Sequence, residues 1–406
     1  MAPKVVIALM WAGAFASATA IWLTRSRGEE REPAVAAPGE TVHLQDVPSV
    51  APPRNLSDSV AYRMGARHAG TTGLTGPAEG RIAWTFETGG RITAQVVASR
   101  AGEIYVGSHD HFFYALDRAG RERWKRDLGG RIYSTAAVDR NGHVYIGSDA
   151  GSVWSFDRRG EQRWRLDVDS DADTAIVLSG ERIVFAAGRA VWAVALDGEV
   201  AWRRELSGKV FTAPLVDGAG HVFVGCQDDN FYRLDDEGSV VWTYRTAGDN
   251  DGSPAMDEDG NLYFGSDDNH VYSLSSDGAL RWSTDLDGMV RAPVAVHGGR
   301  VLAGVFGPRP RIVSLDGADG TLQWYFPVTV ADTTEIGVAS GPVIDGGGAI
   351  YFGAHDDYIY SIASDGALRW VVPTDGDVDA SPAILPGALL VVGSDDGKVY
   401  AVRGGR

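Results

Sequence analysis

The chain has a single cysteine, Cys226, among 406 residues, so no intrachain disulfide and no CxxC metal or redox motif can form in it. Stability has to come from burial. It also lacks a basic cluster: Lys and Arg number 37 against 54 Asp and Glu, a net charge of −17. A nucleic-acid partner is excluded on that ground, because phosphate binding needs a dense patch of Lys and Arg to displace counterions. There is no HExxH and no paired ligand spacing among the histidines, such as His109, His111, His270 and His355, which fall at loop positions. What is abundant is glycine, 52 residues without a collagen period, interspersed with aromatic and β-branched runs. That composition reads as many short strands joined by tight turns.

One long apolar run occurs, Val5 to Leu23, between Lys4 and Arg25. It matches the length that crosses a bilayer core of about 30 Å as a helix. We read residues 5–23 as an uncleaved signal anchor, since the hydrophobicity continues through Ile21, Trp22 and Leu23 past the small-residue sites Ala16, Ala18 and Ala20. The alternative is a signal peptide cleaved at one of those sites, giving a secreted chain. Both place the remainder outside the cytoplasm. No cysteine lies near residue 20, so lipoprotein-type acylation is impossible. Residues 1–24 are thus the targeting segment, and residues 25–80 a Pro-, Ala-, Glu- and Ser-rich flexible linker with a lead-in segment.

From residue 81 onward the sequence repeats. Trp84, Trp124, Trp164, Trp202, Trp242, Trp282, Trp324 and Trp370 recur every 38 to 46 residues. Between them one pattern returns, as in AAVDRNGHVYIGSDAGSVWSFDRRGEQRW: strand, Asx/Gly turn, strand ending in Gly, turn, strand, Gly-containing turn, tryptophan strand. Four strands in about 40 residues is a propeller blade. The fold class expected is all-β, an eight-bladed β-propeller over 81–406, preceded by an N-terminal transmembrane or signal helix. The last unit runs out after three strands, and the first begins with an orphan tryptophan strand, Ile82 to Phe86. Pairing these closes the ring and removes a free sheet edge.

A period near 40 also suits WD40 proteins, yet no Trp-Asp dipeptide occurs. The Gly-Ser-x-Asp turn, the Tyr-x-Leu strand and the turn before Trp, as in IYVGSHDHFFYALDRAGRERW, resemble the PQQ-like (pyrroloquinoline-quinone-like) repeat family. That family's docking pattern AxDxxxGxxxW is met by SLDGADGTLQW, Ser314 to Trp324, with Ser for Ala. The resemblance covers residues 81–406 and points to the non-enzymatic branch. The family includes quinone-dependent alcohol dehydrogenases, which use a channel-bound quinone, a metal and typically adjacent cysteines, and BamB-like assembly factors without redox chemistry. This chain cannot form the cysteine pair, and it offers no positions for the metal-ligand motif, so no PQQ and no catalytic residue is expected. The segment YRMGARHAGTTG, Tyr62 to Gly73, also resembles the family's lead-in and is expected against the outside of the first and last blades.

The eight tryptophans are assigned to blade docking. Asp110, Asp149, Asp228, Asp267, Asp356 and Asp395 follow the second strand and are assigned to turn hydrogen bonds. Cys226 stands where other units have serine. The positions that vary are those seven residues after each tryptophan, Arg91, Arg131, Asp171, Lys209, Asp249, Met289, Ala331 and Asp377, and two residues further on, Thr93, Tyr133, Asp173, Phe211, Asp251, Arg291, Thr333 and Asp379. They are expected to ring one mouth of the central channel. The charged ones, Arg91, Arg131, Asp171, Asp173, Lys209, Asp249, Asp251, Arg291, Asp377 and Asp379, are the binding candidates. Asp167, Asp169 and Asp171 alternate as in a calcium loop but lack the Gly and distal Glu of an EF-hand; the loop is read as a solvated acidic turn, with calcium as the alternative. The crossover after Trp324 is about six residues longer than the others. The function expected is a membrane-tethered extracytoplasmic scaffold in the cell envelope binding a protein or peptide partner. The alternatives are a ligand-sensing envelope receptor or a PQQ-dependent dehydrogenase.

Overall fold

The computed structural model describes residues 41–43 (backbone), 63, 65, 67–99, 101–328 and 337–404. They form eight antiparallel sheets. Blade 1 runs Val97–Ala98, Ile104–Gly107, Phe112–Leu116 and Glu122–Asp127 from the channel outward, and blades 2 to 7 repeat that order. Blade 8 takes three strands from the end of the chain, Ala383–Leu385, Leu389–Gly393 and Lys398–Arg403, and its outer strand from the beginning, Arg81–Glu87. The register pairs Trp84 with Ala401 and Phe86 with Val399. The closure read from the orphan tryptophan strand is therefore present.

The strand sequences follow from where each strand sits. Second strands are sandwiched between two neighbouring blades, so Val144–Ser148 and Leu389–Gly393 are buried throughout. Outer strands touch a neighbour on one face only, and Glu122–Asp127 and Gln162–Asp167 alternate accordingly. The core is correspondingly divided into seams: Tyr145 and Val153 of blade 2 pack on Phe185 and Trp192 of blade 3, and Val378 to Tyr400 of blades 7 and 8 form another. Each such buried aliphatic or aromatic side chain contributes about 1.5–3 kcal/mol.

The tryptophans seal the seams from outside. The indole N–H of Trp202 donates to the Asp236 carbonyl of the next blade at 2.8 Å, and Trp124 does the same to Arg158 at 3.1 Å. The turn glycine of the next blade lies flat on the ring. Gly238, at φ 82°, leaves a notional Cβ only 2.6 Å from Trp202, so no other residue fits without displacing the indole. Each outer strand has a register shift just ahead of its tryptophan, as between Ile82 and Trp84, which rotates the ring onto the neighbour.

The lead-in lies elsewhere than the sequence suggested. Instead of covering the outside of the first and last blades, it crosses the face formed by the first and third turns of blades 5 to 7. Met256 and Val296 donate backbone N–H groups to the carbonyls of Arg67 and Ala69, and Ile344 donates to Gly70 at 2.7 Å. Arg63 is buried among the innermost strands, taking Gln95 Oε1 on its N–H and giving a guanidinium hydrogen bond to the Val294 carbonyl at 3.0 Å. Pro77 and Gly80 then complete blade 8. The Pro77 carbonyl accepts from Trp370 at 3.1 Å and Gly80 packs under its ring, the contacts that a third-turn carbonyl and glycine make in other blades. Because the third turn of blade 8 is broken between the two ends of the chain, the lead-in substitutes for it. Among the described residues no helix is long and apolar enough to cross a membrane. The segment 5–23 lies outside the described residues.

Candidate binding face at the channel mouth

The crossovers between blades and the second turn within each blade meet on the face opposite the lead-in. One backbone hydrogen bond joins them in every blade. His109, Asp149, Gly188, Gln227, Asp267, Phe306, His355 and Asp395 donate N–H to the carbonyls of Arg91, Arg131, Asp171, Lys209, Asp249, Met289, Gly337 and Asp377, at 2.8 to 3.2 Å. The backbone is thus fixed while the side chains are free to differ, and the residues seven after each tryptophan do take equivalent places. The exception is blade 7. Its longer crossover shifts the frame by six residues, so Gly337 holds the position that counting assigned to Ala331; Ala331 and Thr333 themselves lie outside the described residues.

Three groupings of charge result. At the closure seam Arg91 pairs with Asp395 and lies 3.8 Å from Asp379, whose other oxygen is 2.5 Å from His355 Nε2. Asp377 joins the same field, and burial with the neighbouring carboxylates pushes it above the usual range. Across blades 5 and 6, Arg291 binds both oxygens of Asp267, at 2.9 and 2.6 Å, beside Asp249 and Asp251. Burial, then Asp267 and Asp249, push Asp251 up to about 6 despite a hydrogen bond from Gln227. Across blades 2 to 4, Asp173 is pushed up to about 7 by burial and by Asp171 and Asp149, with Lys209 opposing. Between the first and third groups stand Arg91 and Arg131 beside His109, which is pushed down to about 4 by burial and by these two cations. Its ring lies 4.2 Å from Tyr133, and its Nε2 is 3.1 Å from the Thr93 hydroxyl. Phe211 is exposed at the rim with Lys209 over its ring.

The recurring aspartates divide into two sets. Asp110, Asp228 and Asp356, together with Asp268 and Asp396, accept tyrosine hydroxyls (Tyr114, Tyr232, Tyr360, Tyr272 and Tyr400) at 2.5 to 2.7 Å. They are structural. Asp149, Asp267 and Asp395 stand one residue earlier in the turn and face the mouth, where the other blades place His109, Gly188, Gln227, Phe306 and His355. This correction adds members to the ring: Asp267 and Asp395 hold its two arginine pairs.

The acidic loop after Trp164 is tied to arginines. Asp167 pairs with Arg165 at 2.7 Å and Asp169 lies 3.6 Å from Arg203, while Asp171 turns to the mouth. Among the described residues no group of three or more His, Cys, Asp or Glu could hold a metal ion. Cys226 is buried in the core between blades 3 and 4, and burial with Asp228 beside it pushes its thiol up, away from the nucleophilic form. On the lead-in face a cleft of about 710 Å³ lies between Arg67–Gly73 and the first turns of blades 5 and 6; it shares no residue with the mouth.

A family model described as outer membrane protein assembly factor BamB matches residues 69–193, 156–253 and 246–404. No curated protein matches the chain in sequence. Among solved structures, BamB from Moraxella catarrhalis is 19% identical with a TM-score of 0.66, over 80% of this chain and 97% of that one. Quinohemoprotein alcohol dehydrogenase from Comamonas testosteroni is 12% identical with a TM-score of 0.72, over 84% and 80%. A europium-containing methanol dehydrogenase is 12% identical with a TM-score of 0.70, over 85% and 97%. At these identities the likeness is one of fold, and it is shared by assembly factor and dehydrogenases alike.

Proposed function

Because the chain belongs to the family of the outer membrane protein assembly factor BamB, we propose that it is a non-enzymatic, protein-binding propeller of the bacterial cell envelope, anchored by residues 5–23. The channel mouth is its binding face, and the partner is a polypeptide carrying both charge signs.

One observation carries this reading. The mouth has an invariant backbone frame and a variable set of side chains: cations at Arg91, Arg131, Lys209 and Arg291 interleave with carboxylates at Asp171, Asp173, Asp249, Asp251, Asp377 and Asp379, with Tyr133 and Phe211 between them. Structural demand repeats one residue type around a ring, as it does for tryptophan. A small anionic or cationic ligand would be met by one sign. Mixed signs with aromatic residues at the rim suit a folded or extended protein surface, for which rim charges set orientation and encounter rate more than final affinity.

Asp249 and Asp377 test it, being half-buried at the rim in two different charge groups. In the full-length chain, replacing both with Lys should slow association with the partner captured by pull-down by about tenfold at low salt, the gap closing as the Debye length shrinks toward 3 Å near 1 M. Association kinetics identical to the parent at low salt would remove the mouth from consideration.

A further inference from the structure

The outer strand of a propeller blade is a sheet edge, and each presents outward-pointing N–H and C=O groups to any extended chain that reaches it. Most edges here are blunted. Blades 1 to 3 line theirs with Lys125 and Arg126, Arg163 and Arg165, Arg203 and Arg204. Blades 6 and 7 end theirs at Pro327 and Pro373, which lack an N–H. Blade 5 has Arg281 and Asp285, and blade 8 has Arg81 and Glu87.

Blade 4 differs. Its outer strand, Val240–Arg245, reads VVWTYR, and Val241, Trp242 and Tyr244 are all but fully buried, where outer strands elsewhere alternate with exposed positions. A fifth strand, Thr41–His43, is paired antiparallel with it: Thr41 opposite Tyr244, Val42 opposite Thr243 and His43 opposite Trp242. The Thr246 N–H bonds the Asp229 carbonyl inward, so by antiparallel alternation Tyr244 also points inward and Thr243 outward, toward Val42. Among the described residues, the outer strand with no charge before its last residue, Arg245, which is paired with Asp229, and with no terminal proline is thus the one that receives a strand.

We propose that the blade 4 edge is a strand-acceptor site, occupied at rest by the chain's own Thr41–His43 and open to an extended polypeptide segment of a partner that displaces it. Recognition is by main-chain pairing at Thr243 against an apolar, desolvated wall, so the site takes an uncharged extended segment with little dependence on its exact sequence. It is separate from the mouth and stands whether or not the mouth binds anything. The resident strand belongs to the same chain and so competes intramolecularly, and a partner segment must arrive tethered or in excess.

Amide hydrogen exchange on the full-length protein tests this. Thr243 should exchange about tenfold or more slowly than Ser283, the equivalent outward amide on blade 5, as expected for one additional hydrogen bond. Val42→Pro removes the N–H that the paired position gives to the Thr243 carbonyl, and loss of that bond from so short a strand should detach it and abolish the difference without altering exchange elsewhere in the propeller. A synthetic peptide of residues 38–46, PGETVHLQD, added at millimolar concentration to the Val42→Pro protein should restore it. Equal exchange at Thr243 and Ser283 in the parent, protection that survives Val42→Pro, or failure of the peptide to restore it would each overturn the proposal.

Discussion

At the scale of single residues, the mouth stores its tension in carboxylates that are half-removed from water and set beside one another. Asp173 is the sharpest case. Its folded value of about 7 lies well above the ordinary aspartate value near 3.9, which it recovers on unfolding. A carboxyl raised in this way contributes stability that is fully present below pH 4 and lost as pH rises through 7. His109 works in the opposite direction: depressed to about 4, it contributes stability present above 6.5 and lost as pH falls through 4. Thermal melts from pH 4 to 8 should therefore show Asp173→Asn matching the parent near pH 4 and exceeding it at pH 8, whereas His109→Gln flattens the acid limb. Parallel curves for Asp173→Asn and the parent would contradict the burial and charge clustering assigned to that carboxyl. Asp251 and Asp395, both near 6, add to the same alkaline slope. That Asp173 faces Asp171 was legible from their spacing after Trp164. That Asp395 and Asp267 also face the mouth was not, because GSDD and GSHD place an aspartate in adjacent turn positions, and only the tyrosine hydroxyl distinguishes the turn-bonding one.

At the scale of elements, three segments from outside the regular repeat settle how the ring is finished. Arg81–Glu87 supplies the outer strand of blade 8, Pro77–Gly80 its missing turn, and Arg63–Leu74 a strap over blades 5 to 7. Their contributions separate by truncation. Removing residues 1–75 should leave a cooperative fold of lower thermal stability, having lost the backbone bonds at Met256, Val296 and Ile344 and the buried Arg63. Removing residues 1–89 should open blade 8 and abolish cooperative unfolding, because Lys398–Arg403 is then a bare edge beside an uncovered seam. Equal midpoints for the two truncations would contradict the clasp. The clasp strand was readable because it carries the repeat's own tryptophan. The strap was not, since its pairing with inner strands from Met256 to Ile344 is set by three-dimensional proximity and leaves no period. The longer crossover after Trp324 failed for a related reason: counting from the tryptophan presumes a constant loop, and an insertion moves the ring position to Gly337.

At the scale of the whole molecule, the eight tryptophans fix blade number, order and closure because every blade solves the same packing problem, so the solution recurs in the chain. What the ring binds does not recur and has to be read from the positions that differ. A net charge of −17 disfavours adhesion to anionic lipid surfaces, so the membrane attachment proposed above would rest on residues 5–23. Full-length protein should accordingly stay with the membrane fraction through high-salt and carbonate washes. Recovery of a soluble chain beginning near residue 17, 19 or 21 would show cleavage instead.

The clasp has a further consequence, in time. Strand Arg81–Glu87 is among the first of the propeller to be synthesised, and its partner Lys398–Arg403 is the last of the described strands. Blades 1 to 7 each take their four repeat strands from contiguous chain and form as they emerge, but blade 8 has to wait for residues 398–403. Until then seven blades stand as an open arc, with the seams toward the eighth exposed and two raw edges facing each other. Closure is the contact of longest sequence separation in the domain, the kind that is entropically costly and slow to form. The period in which this protein is most vulnerable to aggregation is therefore set by the time needed to deliver strand Lys398–Arg403, and chaperone demand should peak just before that strand emerges.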